Sequence, residues 1–216
     1  METVVTYEKQ GMLPKVDKYI LLSTSPRRKD LLTFLNPEIM SVDVDERAIQ
    51  DHYMKVFNDE PFLMRAAKSC CELAKAKSQT TIAKGTLYLS ADTIIVSEDR
   101  VCHKPQTTAE AVATLRSYFG KSHYAVTGVC LKAKDYQEVF YTLAKIDFVD
   151  YYDALDEAIT TYVSRYQPFD KAGAYSIRDI DPRFIKGITG DMNTILGLPV
   201  AELSQRLFGK TGETIK

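Results

Sequence analysis

The 216-residue sequence has almost no net charge, no long apolar run and no paired-cysteine motif. Lys and Arg number 28 against 29 Asp and Glu, a formal net charge of −1. A chain so balanced has no global field to draw it to a nucleic-acid polymer or an anionic membrane, so any nucleotide recognition must come from a local basic cluster. No stretch of ~18 apolar residues is present, and no segment is expected to span a bilayer. The four cysteines, Cys70, Cys71, Cys102 and Cys130, include no C-x-x-C pair. Four thiols in a chain of this length do not make a disulfide scaffold, and a reducing, cytoplasmic compartment fits them. Cys102-His103 would be half a zinc site, but His52 and His123 lie far off without ligand spacing. There is no G-x-x-x-x-G-K-[ST], no kinase glycine loop and no H-R-D, which excludes P-loop and kinase chemistry. No internal repeat or low-complexity stretch is visible.

What is present is an ordinary globular composition, 45% hydrophobic and 26% charged, long enough for one domain or a two-lobed one. Residues 1–18 read as a polar extension with neither signal-peptide nor transit-peptide character. Residues 19–208 read as the domain, and 209–216 as a polar tail. Tyr19–Ser23 is a buried strand by its apolar run, and Ser25-Pro26 reads as an N-cap with Pro at the first helical position. A second strand is expected over Glu38–Asp43, a polar loop over Val44–Glu60 and a long helix over Pro61–Ala83. Thr86–Ser97 is β-branched and apolar, with a turn at Glu98-Asp99. Thr107-x-x-Glu110 is a capping box, and Gly120 is expected at C′ of its helix. Two long strands, Ser122–Lys134 and Glu138–Val149, meet at a turn near Asp135. Asp153 caps a helix to about Tyr166, and Gly197-Leu198-Pro199 leads into a closing helix to Phe208. Alternating helices and strands, with some strands adjacent, predict an α/β fold on a mixed sheet.

The sharpest local signal is Ser23-Thr24-Ser25-Pro26-Arg27-Arg28. A strand delivers hydroxyls and two guanidinium groups to a helix N-terminus, which makes an anion site for phosphate or, equally, a cap followed by solvated basic residues. Asp92 in Ala91-Asp92-Thr93 is a carboxylate inside an apolar run. That marks it for metal ligation or general-base work, or else for capping a turn. Lys104, before Pro105, can donate to a phosphate or sit in solvent. Asp170-Lys171-Ala172-Gly173-Ala174-Tyr175 is a close-approach segment for a ligand or a tight structural turn. Asp43, Asp45 and Glu46 would repel one another without a balancing cation. Residue chemistry alone leads to metal-assisted chemistry on a phosphorylated small molecule.

The ordered set S-T-S-P-R-R, A-D-T, K-P, D-K-A-G-A-Y and G-L-P, spanning Tyr19 to Phe208, resembles the Maf family of nucleoside triphosphate pyrophosphatases. The resemblance implies a two-lobed inosine-triphosphatase-like fold with a long curved mixed sheet flanked by helices. It implies cleavage between the α and β phosphates with a divalent cation, Mg²⁺ or Mn²⁺. Carried over, Ser23, Arg27 and Arg28 hold the triphosphate. Glu46 and Asp92 serve metal and water, with Asp92 as proton acceptor. Lys104 neutralises phosphate charge, and Lys77, in L-A-x-x-K, does likewise. S-P-R-R and A-D-T with Thr93 resemble the branch acting on dTTP and UTP. The 7-methyl-GTP branch tends to have Trp where Arg27 stands and Gln where Thr93 stands, although Asn193-Thr194 looks a little like it. Arg178 stands where the dTTP/UTP branch usually has Gln, so it is expected to alter base selection. The stretch from Arg47 to Pro61 is longer than usual for the family, as for a lid or a partner surface. The implied partner is a nucleoside triphosphate, with no nucleic acid polymer and no membrane; a homodimer is compatible with it. A nucleotide-binding regulator of cell division, without turnover, is the reading from another class.

Overall fold

The structure, a computed structural model, describes residues 3–209. In chain order it runs β1 (Val4–Gln10), β2 (Lys18–Leu22), α1 (Pro26–Leu31), β3 (Glu38–Met40), α2 (Glu46–Val56), α3 (Phe62–Lys77), β4 (Thr86–Ser97) and β5 (Arg100–Cys102). It continues with α4 (Thr108–Arg116), β6 (Ser122–Ala133), β7 (Tyr136–Phe148), α5 (Leu155–Tyr166), β8 (Ile185–Thr189), α6 (Met192–Leu196) and α7 (Val200–Phe208). The eight strands form one sheet in the order β1-β7-β6-β4-β2-β3, with β5 on β4 and β8 on β7. Strand β2 runs parallel to β3 and β4, and the remaining pairings are antiparallel, so the sheet is mixed as expected.

Three long strands, β4, β6 and β7, form the spine. Each is buried along nearly its whole length, which is why each reads as a continuous apolar run and not as an alternating one. The flanking strands are too short to follow them. On β4, residues Thr86–Leu89 pair with β2 and Ile95–Ser97 pair with β5. On β7, residues 137–142 pair with β1 and 145–148 with β8. The sheet therefore forks on both sides, and the two halves form two lobes on a shared spine. Residues Ser90–Ile94 lie in the fork of β4, and Asp92 and Thr93 are at its centre.

Helix α3 lies flat on this spine because Gly128 of β6, the register partner of Asp92, has no side chain. A Cβ there would come within 2.7 Å of the Cys70 carbonyl carbon and oxygen. Ala66, Ala67, Cys70, Cys71 and Ala74 form the contact, packed with Val126, Cys130 and Val139. The second lobe has an aromatic core of Tyr118, Phe119, Phe148, Tyr162, Tyr175 and Phe184.

Four expectations are corrected. The polar extension expected over 1–18 contributes β1, which pairs with β7. Its polar residues are engaged with other elements: Tyr7 Oη donates to Glu72 at 2.7 Å and Lys75 Nζ to Glu8 at 2.8 Å. The polar loop expected over 44–60 contains α2. Its Asp45 side chain accepts from Ala48 N at 2.9 Å as an N-cap, while Ile49, Tyr53 and Met54 recur at helical spacing beneath the charged residues. The long helix stops at Lys77, and Gly120 lies beyond the end of α4, which closes at Ser117. The turns at Glu98 and Asp135 are where they were expected, both with positive φ, and Thr107 caps α4 through Glu110 N. Of the expected tail, residues 210–216 lie outside the described residues. Among the described residues no helix is long and apolar enough to cross a membrane.

Candidate active site

The fork of β4 is the floor of a cleft of about 640 Å³. Segments from both lobes line it: Ser23–Arg28, the start of α2, the end of α3, the loop through His103 and Lys104, and the turn through Asp170 and Lys171.

Side chains alternate along β4, so neighbouring residues serve opposite faces. Asp92 points to α3, where Lys77 Nζ donates to its Oδ1 at 2.7 Å. The same ammonium lies 2.6 Å from Glu46 Oε1, at the first turn of α2. Lys77 and Asp92 side chains are only 9% and 11% exposed, against 52% for Glu46. Burial works against the Lys77 ammonium, but Asp92 and Glu46 together outweigh it and raise its pKa. Behind Asp92 lies Cys70, whose thiol donates to the Asp92 carbonyl at 3.3 Å. Burial, reinforced by Asp92, pushes that thiol well above its ordinary pKa, so it stays protonated.

Thr93 faces the other way. Arg28 Nη2 donates to Thr93 Oγ1 at 3.0 Å, Nε to the Gly197 carbonyl at 2.8 Å and Nη1 to Ser23 Oγ at 3.4 Å. Behind Thr93, Thr127 Oγ1 lies at 3.0 Å and itself donates to the Thr194 carbonyl at 2.7 Å. Gly197 has a φ of 106°, which favours glycine at that position, and its carbonyl is thereby turned to Arg28. Ser25 stands at the N-cap position of α1 without a side-chain cap bond; Ser23 Oγ instead accepts from Ser25 N at 3.2 Å.

The two arginines therefore differ. Arg28 is anchored by three hydrogen bonds, whereas the Arg27 side chain lines the cleft with no hydrogen-bond partner among the described residues. Arg27→Ala is expected to raise the KM for a phosphorylated ligand by roughly tenfold, the scale of one hydrogen bond to a charged group, with Tm within a degree or two. Arg28→Ala is expected to lower Tm as well. Parallel thermal melts and steady-state kinetics check this, and equal Tm losses in the two variants would contradict it.

The Asp170–Tyr175 turn closes the far wall. Gly173 has a φ of 73°, and a Cβ there would lie 2.9 Å from the Tyr118 hydroxyl. Its N–H donates to the His103 carbonyl at 3.2 Å, which ties this turn to the loop carrying exposed Lys104. Tyr175 Oη lies 2.7 Å from His123 Nε2. His123 is 1% exposed, and burial lowers its pKa to about 3, although Asp147 opposes this. The unfolded chain, with a His pKa near ~6.5, takes up a proton that the folded chain refuses. Stability is then full above pH ~6.5, falls by about 1.4 kcal/mol per pH unit as the pH drops towards 3, and levels below that. In urea titrations from pH 7 to 4, His123→Phe is expected to flatten this acid slope by one proton. Identical slopes would mean that His123 is charged in the fold.

Of the residues singled out from sequence, Ser23, Arg27, Arg28, Glu46, Lys77, Asp92, Thr93 and Lys104 all line the one cleft. Arg178 does not line it: its side chain is exposed, next to the lining residues Ser176 and Ile177. Among the described residues no group of three or more His, Cys, Asp or Glu is placed to hold a metal ion. The nearest to a cation site is the pair Glu46 and Asp92, which already converge on one cation, the Lys77 ammonium. Sequence reasoning missed Thr127 and Gln50, and it noted Thr194 and Gly197 only within motifs, not as parts of the site. Threonine in a strand is too ordinary a residue to signal a site, and a backbone carbonyl has no sequence signature.

Fold and cleft together define a two-lobed α/β protein whose forked sheet presents paired carboxylates and cations to a small charged ligand. The chain belongs to the Maf-like protein family, whose profile matches residues 18–209. It is 36% identical over 206 residues to the dTTP/UTP pyrophosphatase of Bacteroides thetaiotaomicron, covering 92% of this chain and 98% of the relative. It is 33% identical over 210 residues to that of Porphyromonas gingivalis, with 93% and 100% covered. Against that of Bacillus cereus it is 34% identical over 192 residues, with 88% and 94% covered.

Proposed function

We propose that this chain hydrolyses nucleoside triphosphates to the monophosphate and pyrophosphate, with dTTP and UTP as substrates, and so clears unwanted nucleotides from the pool. The observation that carries the reading is the convergence of Asp92, Lys77, Glu46 and Arg28 on the fork of β4, in a cleft that also holds Arg27 and Lys104. Relatives named dTTP/UTP pyrophosphatase, matched over nearly their whole length, support the substrate.

In this reading Arg27 and Lys104, from opposite lobes, hold the triphosphate across the cleft. Positioning and charge neutralisation account for most of phosphoryl-transfer catalysis. Asp92 accepts the proton of the attacking water, while Lys77 orients its carboxylate. Glu46 and Asp92 fit a divalent ion of the Mg²⁺ class, which takes one or two carboxylates and completes its shell with water and substrate phosphate. Such an ion, Mg²⁺ or Mn²⁺, would supply further neutralisation of the triphosphate.

A panel of dTTP, UTP, CTP, GTP and 7-methyl-GTP, read by pyrophosphate release with and without Mg²⁺ or Mn²⁺, tests the proposal. The expected result is metal-dependent release that is fastest with dTTP and UTP. Preference for 7-methyl-GTP would reassign the substrate, and no release from any of them would leave a binding protein without turnover.

A further inference from the structure

Helix α2, unread in the sequence, carries Arg47 and Gln50 into the cleft beside Glu46. Gln50 lies one turn after Glu46, so the two share a helix face. Gln50 lines the cleft but is only 5% exposed. Its amide nitrogen Nε2 is buried and has no hydrogen-bond partner among the described residues. Buried donors are nearly always paired, and leaving one unpaired is costly. Of the polar groups before it on the helix, Asp45 caps Ala48 N and Glu46 binds Lys77.

The first two turns of α2 border the charged end of the cleft. Glu46 touches the ammonium that holds Asp92, and the charges of both carboxylates reach the Arg28 guanidinium. An unpaired donor in that position needs an acceptor that comes and goes, and phosphoryl oxygens are the acceptors that a triphosphate brings there. A metal ion does not meet the need, because an N–H donor cannot ligate one.

We propose that Gln50 is a substrate-binding residue whose Nε2 donates to a phosphoryl oxygen in the pyrophosphate part of the bound triphosphate. The identity of the ligand rests on the function proposed above.

The free protein carries an orphan donor and the complex does not, so stability and binding should respond to its removal in opposite directions. Gln50→Met keeps the length of the side chain and removes the donor. Its ligand-free Tm is expected to rise by about 2–4 °C, the usual shift for relief of roughly 1 kcal/mol in a chain of this size. Its affinity for inorganic pyrophosphate, measured by calorimetry with Mg²⁺ present, is expected to fall about ten- to a hundred-fold, the scale of a hydrogen bond to a charged group. Gln50→Glu, which keeps the shape but offers an acceptor to the phosphate, is expected to lose at least as much. Unchanged pyrophosphate affinity in both variants overturns the proposal. With a lowered Tm it makes Gln50 a packing residue, and with a raised KM for UTP it moves the contact to the sugar or base. Failure of the wild-type chain to bind pyrophosphate also overturns it. A wild-type chain that binds pyrophosphate but releases none from any nucleotide sinks the proposed activity and leaves this contact standing.

Discussion

Asp92→Asn is expected to lower the rate of pyrophosphate release by at least ~10²-fold, the usual scale for loss of a general base. The substitution keeps the shape of the side chain and removes its basic lone pairs. Lys77 retains Glu46 as a partner at 2.6 Å, so the cleft should keep its form and the variant should still bind substrate. Single-turnover release from UTP measures the effect apart from binding. A rate within a few-fold of wild type would remove Asp92 from the proton-accepting role.

Lys77→Met is expected to damage both stability and turnover. Removing one partner of a buried pair leaves the other charge uncompensated, at a cost of about 3–5 kcal/mol. Glu46 is half exposed and regains water, so the low end of that range applies, but Asp92 stays buried beside Cys70. A loss of about 3 kcal/mol corresponds to a Tm lower by roughly 6–12 °C in a chain of this size. Turnover is expected to fall by ~10²-fold or more, because the carboxylate loses the group that orients it. Urea melts and pyrophosphate release on the same preparation measure both. A variant that melts like wild type would show that the 2.7 Å contact contributes little. The pKa of Lys77 is raised in the fold. Its contribution to stability is therefore complete below the unfolded value of ~10.4 and is lost only as the pH rises through the folded value above it. Any change in activity between pH 6 and 9 has to be assigned to another group.

The sequence was legible where local chemistry is decisive. Thr107 and Glu110 announce the start of α4, and the turns at Glu98 and Asp135 follow from polar residues between apolar runs. The apolar runs of β4, β6 and β7 are read as strands because their burial leaves no alternation to confuse the period. It was illegible where polar residues are answered from a distance. Glu8 and Lys9 look like an unstructured start until Lys75 and Glu138, far along the chain, are seen to pair with them. Charge likewise concealed α2, whose apolar face is narrow. The cleft residues Ser23, Arg27, Arg28, Glu46, Lys77, Asp92, Thr93 and Lys104 were found because their motifs are local. The place of Arg178 outside the cleft lining was not legible, because the direction in which the chain leaves Tyr175 is set by tertiary packing. Gln50 depends on a helix that had not been predicted.

The pairing of β1 with β7 also bears on how the protein is made. During synthesis β1 emerges first, but its partners, Gln137–Thr142, follow some 130 residues later. Closure of so large a loop costs entropy before any ladder bond is gained, and topologies dominated by such distant pairings fold slowly. Meanwhile the Val4–Tyr7 stretch is an unpaired β-forming segment with nothing to cover it. The last described helix completes the assembly: Arg206 of α7 stacks 4.1 Å over Phe140, pairs with Glu138 and reaches Thr6. The first strand and the last described helix thus close on the same strand, β7.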